Sequence, residues 1–319
     1  MRISSLTSFR RSWVWLIAGA ALLPFAQFQT VLPLAPWLAP IFLMRFARTQ
    51  RAWVGLTMLA LAHYIGVVIS LRGVLPAPDV YLFGLAGITG VVAYGLDLLL
   101  ARRLNGLMRT MVFPVTSVAL DWLFGLSGLG TLGSPAYAQF GALPLTQLVS
   151  VTGIWGLVFL ITWLALAVNE AWEHGFAWHS VRAMLAPVAG VVLLVVTLGS
   201  LRIAFFAPKG PTVRVAGLAA DRALWHGQRV PPMVDLAAGS DAVRADARAE
   251  YAPVVDELFA RTTQIARAGA KIVVWAEVAA FALKEDESAL IARAQQLARE
   301  EAIYLQLGLV VVLRTDQYP

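Results

Sequence analysis

KIVVWAEVA, residues 271–279, decides how the later part of this 319-residue chain folds. Four consecutive apolar residues, Ile272 to Trp275, read as a short strand buried on both faces. Two positions after Trp275 stands a carboxylate, Glu277. Burying a charge costs free energy unless the charge is paired or put to use, so such a glutamate needs partners. The carboxyl end of a strand is also the edge at which open α/β sheets hold their chemistry. There burial raises a carboxyl pKa and a neighbouring cation lowers it, which is how a general base is tuned. A solvated strand-end glutamate is the other reading of the same spacing.

The flanks of this stretch alternate in the same manner. VRVAGLAA, 213–220, has the composition of a strand, and Tyr251, Val255, Leu258, Thr262 and Ile265 share one face of a helix over about 248–268 that Gly269 stops. Beyond KIVVWAE a second helix, about 286–301, opens with Asp286 and Glu287 at its positive end and carries Leu290, Ile291, Ala294, Leu297 and Ala298 as one stripe. IYLQLGLVVVL, 303–313, reads as another buried strand. The order strand, helix, strand, helix, strand predicts an α/β sheet over 212–319, joined to what precedes it by a linker at Pro208 to Pro211. It ends just past a strand, and an incomplete domain is expected.

Residues 1–207 are of another kind. The chain as a whole is 59% hydrophobic and 14% charged with a mean hydropathy of +0.71, and the apolar residues concentrate before Ala207. An integral membrane protein with a soluble part follows. Seven candidate spans are predicted, at about 13–31, 33–44, 53–71, 80–101, 110–126, 147–168 and 184–206. The second is short and holds Pro33, Pro36 and Pro40, which suits a half-span or a broken hairpin with the first. With the amino terminus inside, the cytoplasmic segments carry Arg2, Arg10, Arg11, Arg45, Arg48, Arg51, Arg102, Arg103, Arg109 and Arg182, against Arg72 alone on the other side. Positive charge therefore places the amino terminus in the cytoplasm and the α/β part outside it. The net charge of +6 is accordingly topology, and no nucleic-acid partner is expected. The first span begins like a signal peptide, with Arg10 and Arg11 before an apolar run, but lacks a small-residue cleavage site and reads as a retained anchor.

Cysteine is absent, which excludes a disulfide, a thiolate metal site and a cysteine nucleophile within these residues. The four histidines, at 63, 174, 179 and 226, form no pair at ligand spacing on a helix, and no metal or cofactor is expected. GLGTLG, 128–133, has the GxGxxG form but follows a membrane helix where a nucleotide site needs a strand, so it reads as an extracytoplasmic loop. His63, Asp97 and Asp121 fall in or near spans, where an ionisable group is a functional candidate; Asp97 lies close to the Arg102 and Arg103 end, and pairing with a neighbouring helix is the alternative. Ser240 in AGSDA lacks the second glycine and the preceding strand of a nucleophile elbow and reads as solvated.

With these pieces in place the chain resembles the apolipoprotein N-acyltransferases, bacterial membrane enzymes that add the third acyl chain to lipoproteins. Three stretches carry the likeness. MVFPVTSVALDWLFGL, 111–126, resembles the family's span with a Phe-Pro start and an acidic residue before Trp, here Phe113, Pro114, Asp121 and Trp122. SPAYAQF and LPLTQLVSVTGIWGLVFLI, within 134–161, resemble the following loop and span through Gln139, Gln147, Gly153 and Gly156. VVWAEVA, 273–279, resembles the hydrophobic-Trp-Pro-Glu motif of the family's nitrilase-like domain.

The resemblance implies a multi-span α-helical membrane domain, 1–207, followed by an incomplete α/β nitrilase-like domain of αββα sandwich type, 212–319. It implies a multi-pass protein of the bacterial cytoplasmic (inner) membrane with that domain outside. Glu277 would be the general base of a Glu, Lys, Cys triad. The thiolate of that triad takes an acyl chain from a phospholipid as a thioester and passes it to the α-amine of a diacylglyceryl-modified apolipoprotein. Two departures stand out. Position 276 is Ala where the family has Pro, and no cysteine is present, while Lys284 lies in no matching motif. The chain therefore reads as an amino-terminal fragment, inactive alone, with the lysine and cysteine beyond Pro319. A membrane-anchored nitrilase-like amidase or acyltransferase with another acceptor, and a degenerate non-catalytic binding protein, are the alternatives.

Overall fold

The computed structural model describes residues 3–28, 30–73, 79–206, 209–221, 223–224 and 233–315. Contacts divide the chain into two units, Met1–Pro208 and Lys209–Pro319. The start of the expected linker, at Pro208, and His226 lie outside the described residues.

The first unit is helical. Its helices are α1 (Ile3–Leu22), α2 (Ala35–Thr49), α3 (Ala52–Leu71), α4 (Asp79–Gly87), α5 (Val91–Leu100), the short α6 (Gly106–Arg109), α7 (Val112–Gly125), the single turns α8 (Leu143–Thr146) and α9 (Val149–Thr152), α10 (Trp155–Glu173) and α11 (Trp178–Phe205). Among the described residues four helical stretches are long and apolar enough to cross a membrane: Ala52–Leu71, Asp79–Leu100, Trp155–Glu173 and Val181–Phe205. Three more apolar stretches are shorter: Ser12–Phe25, Val112–Gly125 and Leu143–Thr152.

The breaks have local causes. The first apolar run is not helical to residue 31; it stops at Leu22, and Pro24 sits in a 3-10 turn, Leu23–Phe25. The second is one helix of 15 residues, with Pro36 in the first turn, where no amide is needed, and Pro40 inside it. The sixth is not continuous over 147–168. Gly153 takes φ +64, a left-handed conformation that ends α9, and the helix restarts at Trp155 and runs on to Glu173. Of the apolar window in α10, 67% is buried, against 11% for α11, so α10 is the central helix of this unit and α11 is peripheral. Buried polar side chains tie α10 to its neighbours: Asn169 Nδ2 donates to the Ile41 carbonyl at 3.0 Å, and Trp163 Nε1 donates to Thr110 Oγ1 at 3.0 Å.

Among the described residues the second unit carries five short strands, β1 (Val215–Leu218), β2 (Ile272–Trp275), β3 (Ala280–Leu283), β4 (Tyr304–Gln306) and β5 (Leu309–Val312). All pairings are parallel: β1-β2-β4 in one sheet and β3-β5 in another. The predicted strand 303–313 is two strands in two sheets, broken at Leu307 and Gly308. The long helix Asp241–Arg267 begins seven residues earlier than its apolar face indicated, with Ser240 exposed at its N-cap. Side chains of this helix (Val254, Leu258, Phe259, Ala266) and of the helix Glu287–Glu300 (Ala294) form one core with Leu218, Val273, Trp275 and Ile303. Ile291, expected on that stripe, is 38% exposed; Leu290, Ala294, Leu297 and Ala298 make up the buried edge.

Strand β2 is not buried on both faces. Val273 and Trp275 are buried, and Ile272 and Val274 are half-buried. Register extends this alternation across the sheet: Ala216, Val273 and Leu305 are aligned and face the helices, while Val215, Ile272 and Tyr304 are aligned on the opposite face. There Val215 is 57% and Tyr304 79% exposed. Helices thus cover one face of this sheet and leave an apolar face bare.

Candidate functional site

Glu277 sits where the chain crosses from the first sheet to the second. In the first ladder Ile272 pairs with Tyr304, 32 residues on; in the second Ala280 pairs with Leu309, 29 residues on. The β2–β3 side therefore holds three residues more than the β4–β5 side. These extra residues are looped out as a turn over Ala276–Ala279, closed by the Ala279 amide donating to the Ala276 carbonyl at 3.1 Å. An insertion of this sort interrupts pairing and re-aims side chains.

Three features hold the turn. The Ala276 amide donates to the Leu218 carbonyl at 2.7 Å, extending the β1–β2 ladder by one bond, and the Ala279 amide also reaches the Gly308 carbonyl at 2.9 Å. Gly308 is required by close approach, since a Cβ there would lie 1.9 Å from the Ala276 carbonyl oxygen. Trp275 anchors the strand end: it is 2% exposed, donates from Nε1 to Thr262 Oγ1 at 2.9 Å and meets Phe259 edge-on at 5.1 Å between ring centroids. Val278, a β-branched residue, is held at φ +55. Such a conformation costs about 1–3 kcal/mol and persists where the surroundings impose it.

On this turn Glu277 is exposed, in line with the reading of a solvated strand-end glutamate, and among the described residues it makes no hydrogen bond or ion pair. The strand before it is buried on alternate residues, and the looped-out turn carries the side chain away from the core. Lys284, seven residues on, is exposed and engaged with Glu287. The structure brings no lysine to Glu277 among the described residues.

A buried guanidinium that the sequence did not signal lies elsewhere in this unit. Arg244 is 1% exposed; its Nε and Nη2 grip Glu285 at 2.9 and 2.7 Å, and its remaining donors reach the Leu236 and Val312 carbonyls at 2.9 and 3.3 Å. These hydrogen bonds hold the Glu285 carboxyl down to about 2 and raise Arg244 in turn. The cluster fastens the start of the long helix to the end of β5 and serves the fold.

In the first unit the three ionisable candidates separate into two places. Asp97, expected beside Arg102 and Arg103, gives its Oδ2 to Arg48 of α2, which donates from Nε at 3.1 Å and Nη2 at 2.8 Å. Arg48 Nη1 also donates to Glu170 at 2.6 Å and to Glu173 at 3.1 Å. Arg109 closes the cluster through Glu173 at 2.9 Å, with its Nε 3.0 Å from Glu170. Asp97 and Glu170 are each 1% exposed. Buried charges paired in this way bind helices α2, α5, α6 and α10 at one end of the unit.

His63 and Asp121 both line a cavity of about 240 Å³ toward the other end. Its walls are mainly apolar, including Leu23, Val67, Phe113, Val158 and Ile161, and small residues at Ala86, Gly87, Gly90 and Ala93 leave the space. Gln27, Phe28, Leu132, Gly133 and Pro135 come from the loops at that end, so part of GLGTLG borders the cavity. His63 Nδ1 lies 2.9 Å from the Leu59 carbonyl, which makes Nδ1 the donor and leaves Nε2 an acceptor; the ring meets Tyr94 edge-on at 5.8 Å. Asp121 Oδ2 accepts from Ser134 Oγ at 3.2 Å.

Among the described residues no three His, Cys, Asp or Glu side chains come together as a metal ion would need. In comparisons with known proteins, no family model matches the chain and no curated protein matches it.

Proposed function

We propose that the chain is part of a membrane enzyme like the apolipoprotein N-acyltransferases, with Glu277 as the general base of a nitrilase-like site. The observation that carries this reading is the turn at Ala276–Ala279: a carboxylate without a partner, presented at the carboxyl edge of a parallel strand, next to a residue in a strained conformation. Strain and free polar groups concentrate where a fold is used rather than merely held. The bare apolar face of the three-stranded sheet supports an αββα sandwich, in which that face packs on a second sheet. Four helices able to cross a bilayer suit a substrate pair made of a phospholipid acyl donor and a diacylglyceryl-modified apolipoprotein acceptor, and the arginine distribution supports a cytoplasmic amino terminus with the nitrilase-like domain on the outer side of a bacterial inner membrane.

In this reading Glu277 takes the proton of a cysteine thiol, the thiolate attacks the phospholipid ester to give a thioester, and the acceptor amine then displaces the thiolate. No cysteine stands among these 319 residues, so the chain alone transfers no acyl group. The first test is to read the encoding DNA past the codon for Pro319. A frame continuing to a lysine and then a cysteine supports the proposal, and a stop codon overturns it in favour of a non-catalytic membrane protein. The second test measures acyl transfer to a diacylated lipopeptide. The 319-residue chain is expected to show no turnover, and in a protein carrying the cysteine Glu277→Gln is expected to slow turnover by about 10²-fold or more.

A further inference from the structure

His63 and Asp121 both line the cavity of the first unit; the Leu59 carbonyl engages His63 through Nδ1 and Ser134 engages Asp121 through Oδ2. The volume, about 240 Å³, exceeds the roughly 150 Å³ at which an engineered apolar cavity stays dry and takes up benzene. An apolar chain suits the walls of this cavity. Asp121 is the one carboxylate among the described lining residues, which include neither lysine nor arginine, and Gln27, His63, Thr89, Tyr94, Ser117 and Thr162 supply neutral donors and acceptors. A carboxylate or phosphate head would meet like charge there, whereas an ammonium brings three donors and the opposite charge.

We propose that this cavity binds a single-chain lipid amine, its ammonium group held by Asp121 and His63 and its chain lying along α3, α5, α7 and α10. The site is distinct from the acyl-transfer reading and does not rest on it, since every residue belongs to the first unit and Glu277 plays no part.

The test uses the whole 319-residue chain in micelles of a steroid-based detergent, which has no alkyl chain to compete. Native mass spectrometry would count bound dodecylamine, dodecanol, dodecanoate and butylamine. One dodecylamine per chain is expected, with dodecanoate at least tenfold weaker, and butylamine weaker again because it forfeits the chain contacts. Asp121→Asn should weaken dodecylamine at least tenfold and leave dodecanol unchanged. Gly90→Leu should block both, because a Cβ at position 90 meets only the His63 ring, at 3.8 Å or more, and the added side chain grows into the cavity. That variant should also melt at a higher temperature than the parent, by filling space and removing a helix glycine. Equal binding of dodecylamine and dodecanoate to the parent chain would overturn the proposal without recourse to any variant. Butylamine binding as tightly as dodecylamine would overturn the lipid assignment, and dodecylamine binding untouched by both substitutions would overturn the location.

Discussion

Gly308→Ala tests whether the turn carrying Glu277 is imposed by its neighbours. A Cβ at position 308 would come 1.9 Å from the Ala276 carbonyl oxygen, 2.7 Å from its carbon and 3.0 Å from the Trp275 carbonyl oxygen. All three are backbone atoms, which cannot swing aside as a flexible side chain would. Relief therefore requires the two crossing segments to move apart, at the expense of the bond from the Ala279 amide to the Gly308 carbonyl. Overpacking of this kind costs about 3 kcal/mol where backbone must shift. Hydrogen exchange on the whole chain reads the effect locally, which matters because the two units need not unfold together. The Ala279 amide should lose about 100-fold in protection, as 1.4 kcal/mol corresponds to a factor of ten, while amides in the long helix Asp241–Arg267 change far less. Unchanged protection at Ala279 would refute the account of the turn as a strained insertion pinned between two strands.

Further outcomes follow from other contacts. Glu285 titrates near 2 in the folded chain against an ordinary 4.5, so its contribution to stability is complete above about pH 4.5 and is lost as pH falls towards 2; exchange rates of the long helix should rise over that window in the parent and not in Glu285→Gln. Arg48→Met strands Asp97 in a buried setting, leaves Glu170 with Arg109 alone, and should destabilise the first unit by about 3–5 kcal/mol, seen as a lower melting temperature in detergent. Trp275→Phe keeps the ring packing but removes the donor to Thr262 Oγ1, and should cost about 1 kcal/mol by the exchange of the Ala276 amide.

What the sequence discloses is periodicity, and the parts that depend on it were legible. Tyr251, Leu258 and Thr262 fall at helical spacing and are buried on one face, and Ile272–Trp275 is a strand as its composition requires. What it conceals depends on pairs of segments far apart. AFAL at 280–283 is too short and too rich in alanine to read as a strand until β5 is beside it. Gly308 within an apolar run passes for a tolerated glycine unless the carbonyl of Ala276 is known to lie against it. Glu277 was found by position and resemblance, but its exposure stayed open between two readings because four apolar residues in a row do not reveal which of them turn inward. Arg48 counted towards topology, whereas its work is to neutralise carboxylates on two other helices. The cavity had no signal at all, being made of small side chains on helices that come together only in the fold.

The parallel pairing has a consequence in time. Val215 cannot find Ile272 until 57 more residues have been made, and at ~5–20 residues per second this takes about 3–11 s. Throughout that interval β1 offers unpaired amides and carbonyls to other chains. The strand is four residues long, too short to recruit a stranger firmly. Brevity here serves as protection during synthesis, and lengthening β1 should increase the yield of misassembled chains even if the finished fold gains stability.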